Sequence, residues 1–218
     1  LGTRPIRFRL GTVFNPEFTP ALELGVWITH HDLLGDEAGH LPNAELVTLD
    51  LRLHLREDST ILDSLTLFSI QNLAGNPTGI PGDHSLSWRV KSGWDRNRFD
   101  CLECLQFSLQ GGPGVSFPLR RHDRGYVFLD FFTKTEKYTW SHTSWGLAPH
   151  LGMLWEPLDG WKMRLEGGWI RSYSGPLLDY GKTSIHQRWT LAQNWDLRLE
   201  NDQIDDTQEA KMALSFYW

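Results

Sequence analysis

Cys101-Leu102-Glu103-Cys104 has the C-x-x-C spacing of a dithiol redox pair. A reactive thiolate needs a helix N-terminus or a cation to lower its pKa, and the flanking residues read as strand and turn. Two cysteines in the chain exclude a four-sulfur zinc site within it. Cys101 and Cys104 therefore read as a local disulfide pinning an outer loop, with two free thiols as the alternative. His142 and Ser144 are a second candidate. Side chains two apart on a strand share a face, so His142 could serve as base to a Ser144 nucleophile on one wall, as in lipid-hydrolysing barrels. Such a pair must lie on the lipid side and needs a third group to orient the imidazole, which no segment nominates. A polar lumen cluster, with Gly146, Ala148 and His150, is the competing reading. His30, His31, Asp32, Asp36 and His40 carry donors that suit zinc or manganese, but their spacing matches no specific site and a hydrogen-bonded turn fits as well. No cofactor is expected. Gly111-Gly112-Pro113-Gly114 lacks the Lys-Ser/Thr ending of a phosphate loop and reads as a bend in a strand. Arg120-Arg121-His122-Asp123-Arg124 could touch anionic headgroups or a partner, or be simply solvated.

The elements that position these residues follow from period. From Ala21 to His31, Leu22, Leu24, Val26 and Ile28 alternate with Glu23, Gly25, Trp27 and Thr29. From Glu45 to Arg56, Val47, Leu49, Leu51, Leu53 and Leu55 alternate with Thr48, Asp50, Arg52, His54 and Arg56. The same alternation runs through Leu86–Lys91, Trp161–Trp169, Trp195–Glu200 and Lys211–Trp218. A helix would scatter such sets over all its sides. Counting the less regular windows gives about twelve strands, an even number, with turn clusters between them.

The contents of the two faces choose between a soluble sandwich and a membrane barrel. Eleven tryptophans stand in a chain of mean hydropathy −0.39, and Trp94, Trp140, Trp145, Trp155, Trp161, Trp169 and Trp195 lie near turns. That is the girdle position, where indole rings favour a water–lipid boundary. The opposite face carries Asp50, Arg52, Arg56, Arg89, Lys91, Lys162, Arg164, Glu166, Arg188, Asp196, Arg198, Glu200 and Lys211. These charges are expected to point inward and pair across a narrow lumen. A net charge of −6 argues against a nucleic-acid partner. The expected fold is all-β: one closed, antiparallel transmembrane barrel over residues 1–218, in the bacterial outer membrane. Met212, Leu214, Phe216 and Trp218 form an alternating C-terminal strand with a terminal aromatic, the pattern read by the barrel-assembly machinery. With the C-terminus periplasmic, the turns at Gln193-Asn194 and Glu156–Gly160 fall inside and are short. The connections around Tyr173–Gly181 and Asn201–Glu209 fall outside and are expected to be longer. The long loops His31–Asn43 and Gln71–Ser85 count to the periplasmic side, where they are expected to contact a partner.

The stretch His30-His31-Asp32-Leu33-Leu34-Gly35-Asp36-Glu37-Ala38-Gly39-His40, Ala44 through Arg56, Ser87-Trp88-Arg89-Val90 with Gly93, and Gly111–Gly114 together carry a resemblance. Over roughly residues 1–130 the chain resembles the C-terminal region of bacterial envelope proteins with an Lnb-type N-terminal periplasmic domain. That resemblance implies a barrel appended to a periplasmic domain preceding Leu1, and carries no catalytic residue into this chain. The expected function is to anchor or position a periplasmic domain or partner at the outer membrane, in contact with its lipids. The alternatives are a small-solute channel and a lipid-modifying enzyme.

Overall fold

The computed structural model describes residues 6–35, 43–73, 86–120, 123–135 and 143–218. These form twelve strands: β1 (Arg7–Asn15), β2 (Phe18–His31), β3 (Ala44–Leu55), β4 (Thr60–Asn72), β5 (Ser87–Arg96), β6 (Leu105–Pro118), β7 (Arg124–Thr135), β8 (Thr143–Leu158), β9 (Trp161–Ser174), β10 (Tyr180–Ala192), β11 (Trp195–Ile204) and β12 (Thr207–Tyr217). Each pairs antiparallel with its neighbour in sequence, and β12 returns to β1 to close a barrel. The seam is continuous from Arg7 opposite Tyr217 to Phe14 opposite Ala210. Closure satisfies every strand's backbone without an open edge.

Period two sorts the side chains, and the sorting is inverted relative to a soluble domain. On β1, Arg7, Arg9 and Asn15 are buried while Phe8, Leu10 and Phe14 are exposed. On β12, Glu209, Lys211 and Ser215 are buried while Met212 and Leu214 are exposed. On β7, Asp130 and Lys134 face in, and Val127, Leu129 and Phe131 face out. The interior thus holds the charges and the exterior is a continuous band of Leu, Phe, Val and Trp.

One irregularity changes a face. Leu49 has a positive φ of 51°. The β2–β3 ladder steps from Trp27 opposite Asp50 to Thr29 opposite Thr48, leaving Ile28 and Leu49 unpaired there. The kink shifts the phase of β3. Val47, expected on the apolar side with Leu49, is instead buried on the same face as Glu45. Strict alternation cannot register such a kink, because a residue with positive φ turns the strand over and reverses the face of every side chain before it.

With twelve strands, both termini lie at one end, joined by Ile6 and Trp218 backbone bonds. This terminal end also carries the connections 32–43, 73–86, 119–123, 159–160 and 193–194. The far end carries 16–17, 56–59, 97–104, 136–142, 175–179 and 205–206. The expected long connection from Asn201 to Glu209 is instead strand up to a two-residue turn at Asp205-Asp206, with Asp205 at φ 50°. Asp tolerates the left-handed conformation that such a hairpin turn demands.

Candidate functional site

The lumen is built in three levels. At the terminal end, residues 32–35 leave β2 and tuck into the barrel mouth. Asp32 takes Arg7 at 3.2 Å and Arg198 more closely. Arg188 donates to the Leu34 carbonyl at 3.0 Å, and Lys162 to that of Gly35 at 3.1 Å. These bonds hold Leu33 and Leu34 in an apolar cluster with Leu73, Tyr126, Phe128 and Leu154. Arg7 lies 3.2 Å over the Trp27 ring, and Asp196 collects Arg188 at 2.7 Å, Arg198 at 3.3 Å and the Tyr217 hydroxyl at 2.5 Å.

The middle level holds two ion-pair networks. In the first, Glu23 takes Arg9 at 2.5 Å, His54 at 3.3 Å and Lys211 at 3.7 Å. Lys211 also reaches Asp63 at 3.0 Å and Glu209 at 3.1 Å. Arg96 contacts Asp63 and Glu209, while Arg9 and Arg52 share Glu200, and Arg52 lies 3.4 Å from Asp50. Glu23, His54 and Asp63 are close enough together to suggest a metal cage. The donor chemistry argues otherwise. Arg96 can only donate, so the 3.3 Å contact to His54 Nδ1 makes that nitrogen the acceptor. The ring proton then sits on Nε2 and is donated to Glu23. Three cations already neutralise these carboxylates, and no lone pair on Nε2 is left for a metal. In the second network Arg89 reaches Asp130 at 2.6 Å and Glu166 at 3.3 Å, and Arg164 reaches Glu166 at 2.9 Å and Glu45 at 3.4 Å. The Tyr126 hydroxyl donates to Glu166 at 3.0 Å. Its ring occupies the space over Gly152, where any Cβ would fall 2.4 Å from it. Gly168 makes room for the His150 ring in the same way.

At the far end the β5–β6 connection folds inward. Phe99, fixed by Asn15 donating to its carbonyl at 2.8 Å, packs against Phe132, Ala148, Ile170, Tyr180 and Ile204, with Leu177 added from the β9–β10 connection. Cys101 and Cys104 form a disulfide within that connection. Between the two apolar clusters lies a polar chamber of about 290 Å³, lined among others by Lys91, Lys134, Lys182, His150, His186, Asp95 and Asp202.

Across residues 1–218 the chain matches a family described as Domain of unknown function (DUF7840). The chain belongs to this family. Comparison of this DUF7840 barrel with curated proteins gave no match. Among solved structures it is similar to the NanC porin, with a TM-score of 0.57 at 7% identity over 97% of this chain and 98% of that one. It is also similar to the "KdgM porin in complex with disordered oligogalacturonate", with a TM-score of 0.53 at 6% identity over 97% and 99%. At such identities the likeness is one of fold: the DUF7840 domain is a porin-like, closed, twelve-stranded barrel of the outer-membrane type.

The remaining sequence candidates fall as follows in the DUF7840 barrel. Ser144 is buried, and its Oγ accepts from the Leu177 backbone at 3.0 Å, which anchors the far-end plug. Its partner His142 lies outside the described residues. Of the histidine-rich loop, Asp36 and His40 lie outside the described residues, nothing is described of the His30 side chain, and Asp32 is taken up by arginines. Gly111–Gly114 stays within β6 and pairs with β5. Asp123 and Arg124 belong to the terminal end, where Arg124 donates to the Leu73 carbonyl at 3.4 Å; Arg121 and His122 lie outside the described residues. Arg56 sits at the β3–β4 turn, stacked 4.6 Å from the Phe18 ring. Missing from the sequence-derived charge set are, among others, Arg7, Arg9, Glu23, Asp63, Arg96, Asp130 and Glu209, and the chamber residues Glu45, Asp95, Lys134, Lys182 and Asp202. Glu23 stood on the polar face of a clean alternating window and could have been included. Asp130 sits in a window where the apolar Phe128 and Phe132 also face inward, which blurs the pattern.

Proposed function

We propose that this barrel spans the bacterial outer membrane as a small-solute channel whose passage its own loops hold closed. The observation that carries this reading is the polar chamber lying between two apolar plugs. A solid scaffold would fill its lumen, whereas a chamber with apolar constrictions on both sides is the layout of a pore that closes by excluding water. The likeness in fold to the NanC and KdgM porins supports it. Every strand has at least nine residues, enough for a tilted strand to cross about 30 Å of hydrocarbon. Exposed Trp88, Trp155 and Trp195 near the terminal end, and Trp94, Trp145 and Trp169 toward the far end, fit two interfacial girdles. Met212, Leu214, Phe216 and Trp218 serve as the assembly signal, with the terminal end in the periplasm.

The plugs make the reading testable in planar bilayers. The wild-type barrel is expected to conduct weakly or not at all. The L33S/L34S/F99S variant, which makes both constrictions polar, is expected to show steady single-channel steps at least about tenfold larger. If the variant inserts and stays as silent as wild type, the lumen is solid.

That outcome would favour a second reading, in which the barrel anchors a periplasmic domain or partner. Its support is the mutual neutralisation of the Glu23 and Asp196 networks, together with the two long connections at the terminal end.

A further inference from the structure

Among the described residues, two lysines in the chamber make no direct ion pair. The other basic side chains lining it are engaged: Arg52 with Asp50 and Glu200, Arg89 with Asp130, Arg96 with Asp63, Arg164 with Glu166, Lys211 with Glu209, and Lys134 with the Tyr180 hydroxyl at 2.9 Å. Among the described residues, Lys91 and Lys182 make neither an ion pair nor a hydrogen bond, yet both line the chamber and are exposed within it. Their neighbours across the ladder explain why. Lys91 lies opposite Gln110 and Ser69, whose side chains are committed to Asp130 and Glu45. Lys182 lies opposite Gly168 and Ile204, neither of which offers a side-chain acceptor. Of the nearby carboxylates, Asp202 takes His186 at 3.1 Å, and Asp95 accepts from Ser108 at 3.2 Å through Oδ2 while its Oδ1 has only Lys134 at 3.8 Å. β5 and β10 stand five places apart in a ring of twelve, so the two ammonium groups come from almost opposite walls.

A barrel that pairs its other lumen cations so closely has left these two ammonium groups, exposed within the chamber and without a direct ion pair, available to an anion. We propose that the chamber binds a small oxyanion, a carboxylate or a phosphate, between Lys91 and Lys182, with Ser184 and His186 on the same wall as Lys182. The volume of about 290 Å³ is at the lower end for ligand pockets and limits the guest to a monomeric metabolite. This deepens the channel reading by naming the class of solute.

The test is thermal unfolding of the full barrel in detergent, refolded in the presence of each probe so that closed plugs cannot keep it out. The probes are inorganic phosphate and galacturonate, with neutral galactose and chloride at matched ionic strength as references. Phosphate, galacturonate or both should raise the unfolding midpoint by about 2–4 °C at saturation, and K91Q/K182Q should abolish the rise. A rise with only one probe fixes the ligand as phosphate or carboxylate. Should the double variant not refold, K91Q and K182Q singly should each reduce the rise. No rise with either probe, or an equal rise in wild type and variants, overturns the proposal. A midpoint shift from a barrel whose plug variant does not conduct would retain the binding site and remove the channel, so the two readings fail separately.

Discussion

Glu23→Ala is expected to destabilise the barrel by about 3–5 kcal/mol, the loss that follows when one partner of a buried ion pair is removed. Glu23 is fully buried and receives Arg9, His54 and Lys211 from three other strands, β1, β3 and β12. Removing its carboxylate leaves Arg9 and Lys211 short of one negative charge and His54 Nε2 without its acceptor. Each of these groups is itself buried, so water cannot replace the loss. Because β1 and β12 form the closing seam, the damage falls where the barrel is sealed. Glu23→Gln keeps the volume and an acceptor oxygen and should cost less than the alanine. Equilibrium urea unfolding in micelles measures both. A loss under about 1 kcal/mol for the alanine would mean that the lumen network is solvated and contributes little.

Leu129→Arg is expected to cost about 2–4 kcal/mol in a lipid bilayer. Leu129 lies in the middle of β7 with Val127 and Phe131 on the same outward face, and is 44% exposed. On a protein surrounded by water, adding a charge at so exposed a position would change stability within about 0.5 kcal/mol. In hydrocarbon the guanidinium has no solvent and must snorkel or drag water in. The same substitution at Phe117, near the end of β6, should cost about 0–1 kcal/mol, because an interfacial arginine reaches headgroups. Reversible unfolding from lipid vesicles gives the comparison, and equal costs at the two positions would deny a depth gradient.

The number of strands, their closure and the inward sense of the charged face were legible because alternation over ten residues leaves no helical solution. The phase of β3 at Val47 was not, since the left-handed kink at Leu49 carries no composition signal and leucine is no turn residue. The inward folding of residues 32–35 and of Phe99 was also hidden. A short apolar pair such as Leu33-Leu34 inside a polar loop reads the same whether it faces solvent or a lumen, and only the arginines of β1, β10 and β11 decide between the two. That Lys91 and Lys182 lack a direct ion pair could not be read at all. Pairing depends on which strands stand side by side in register, and the pattern of one strand does not contain its neighbours.

In a membrane-spanning barrel the Leu, Phe and Trp faces of these strands touch acyl chains while the charged faces line an enclosed tube. Nitroxide side chains placed one at a time from Lys211 to Tyr217 on β12, in reconstituted vesicles, test it most directly. Collisions with oxygen, which concentrates in hydrocarbon, should peak at 212, 214 and 216, with both oxygen and a polar nickel chelate shielded at 211, 213, 215 and 217. Strong nickel-chelate collisions at 212, 214 and 216, with no oxygen peak there, would place that face in water and rule out a membrane-spanning barrel.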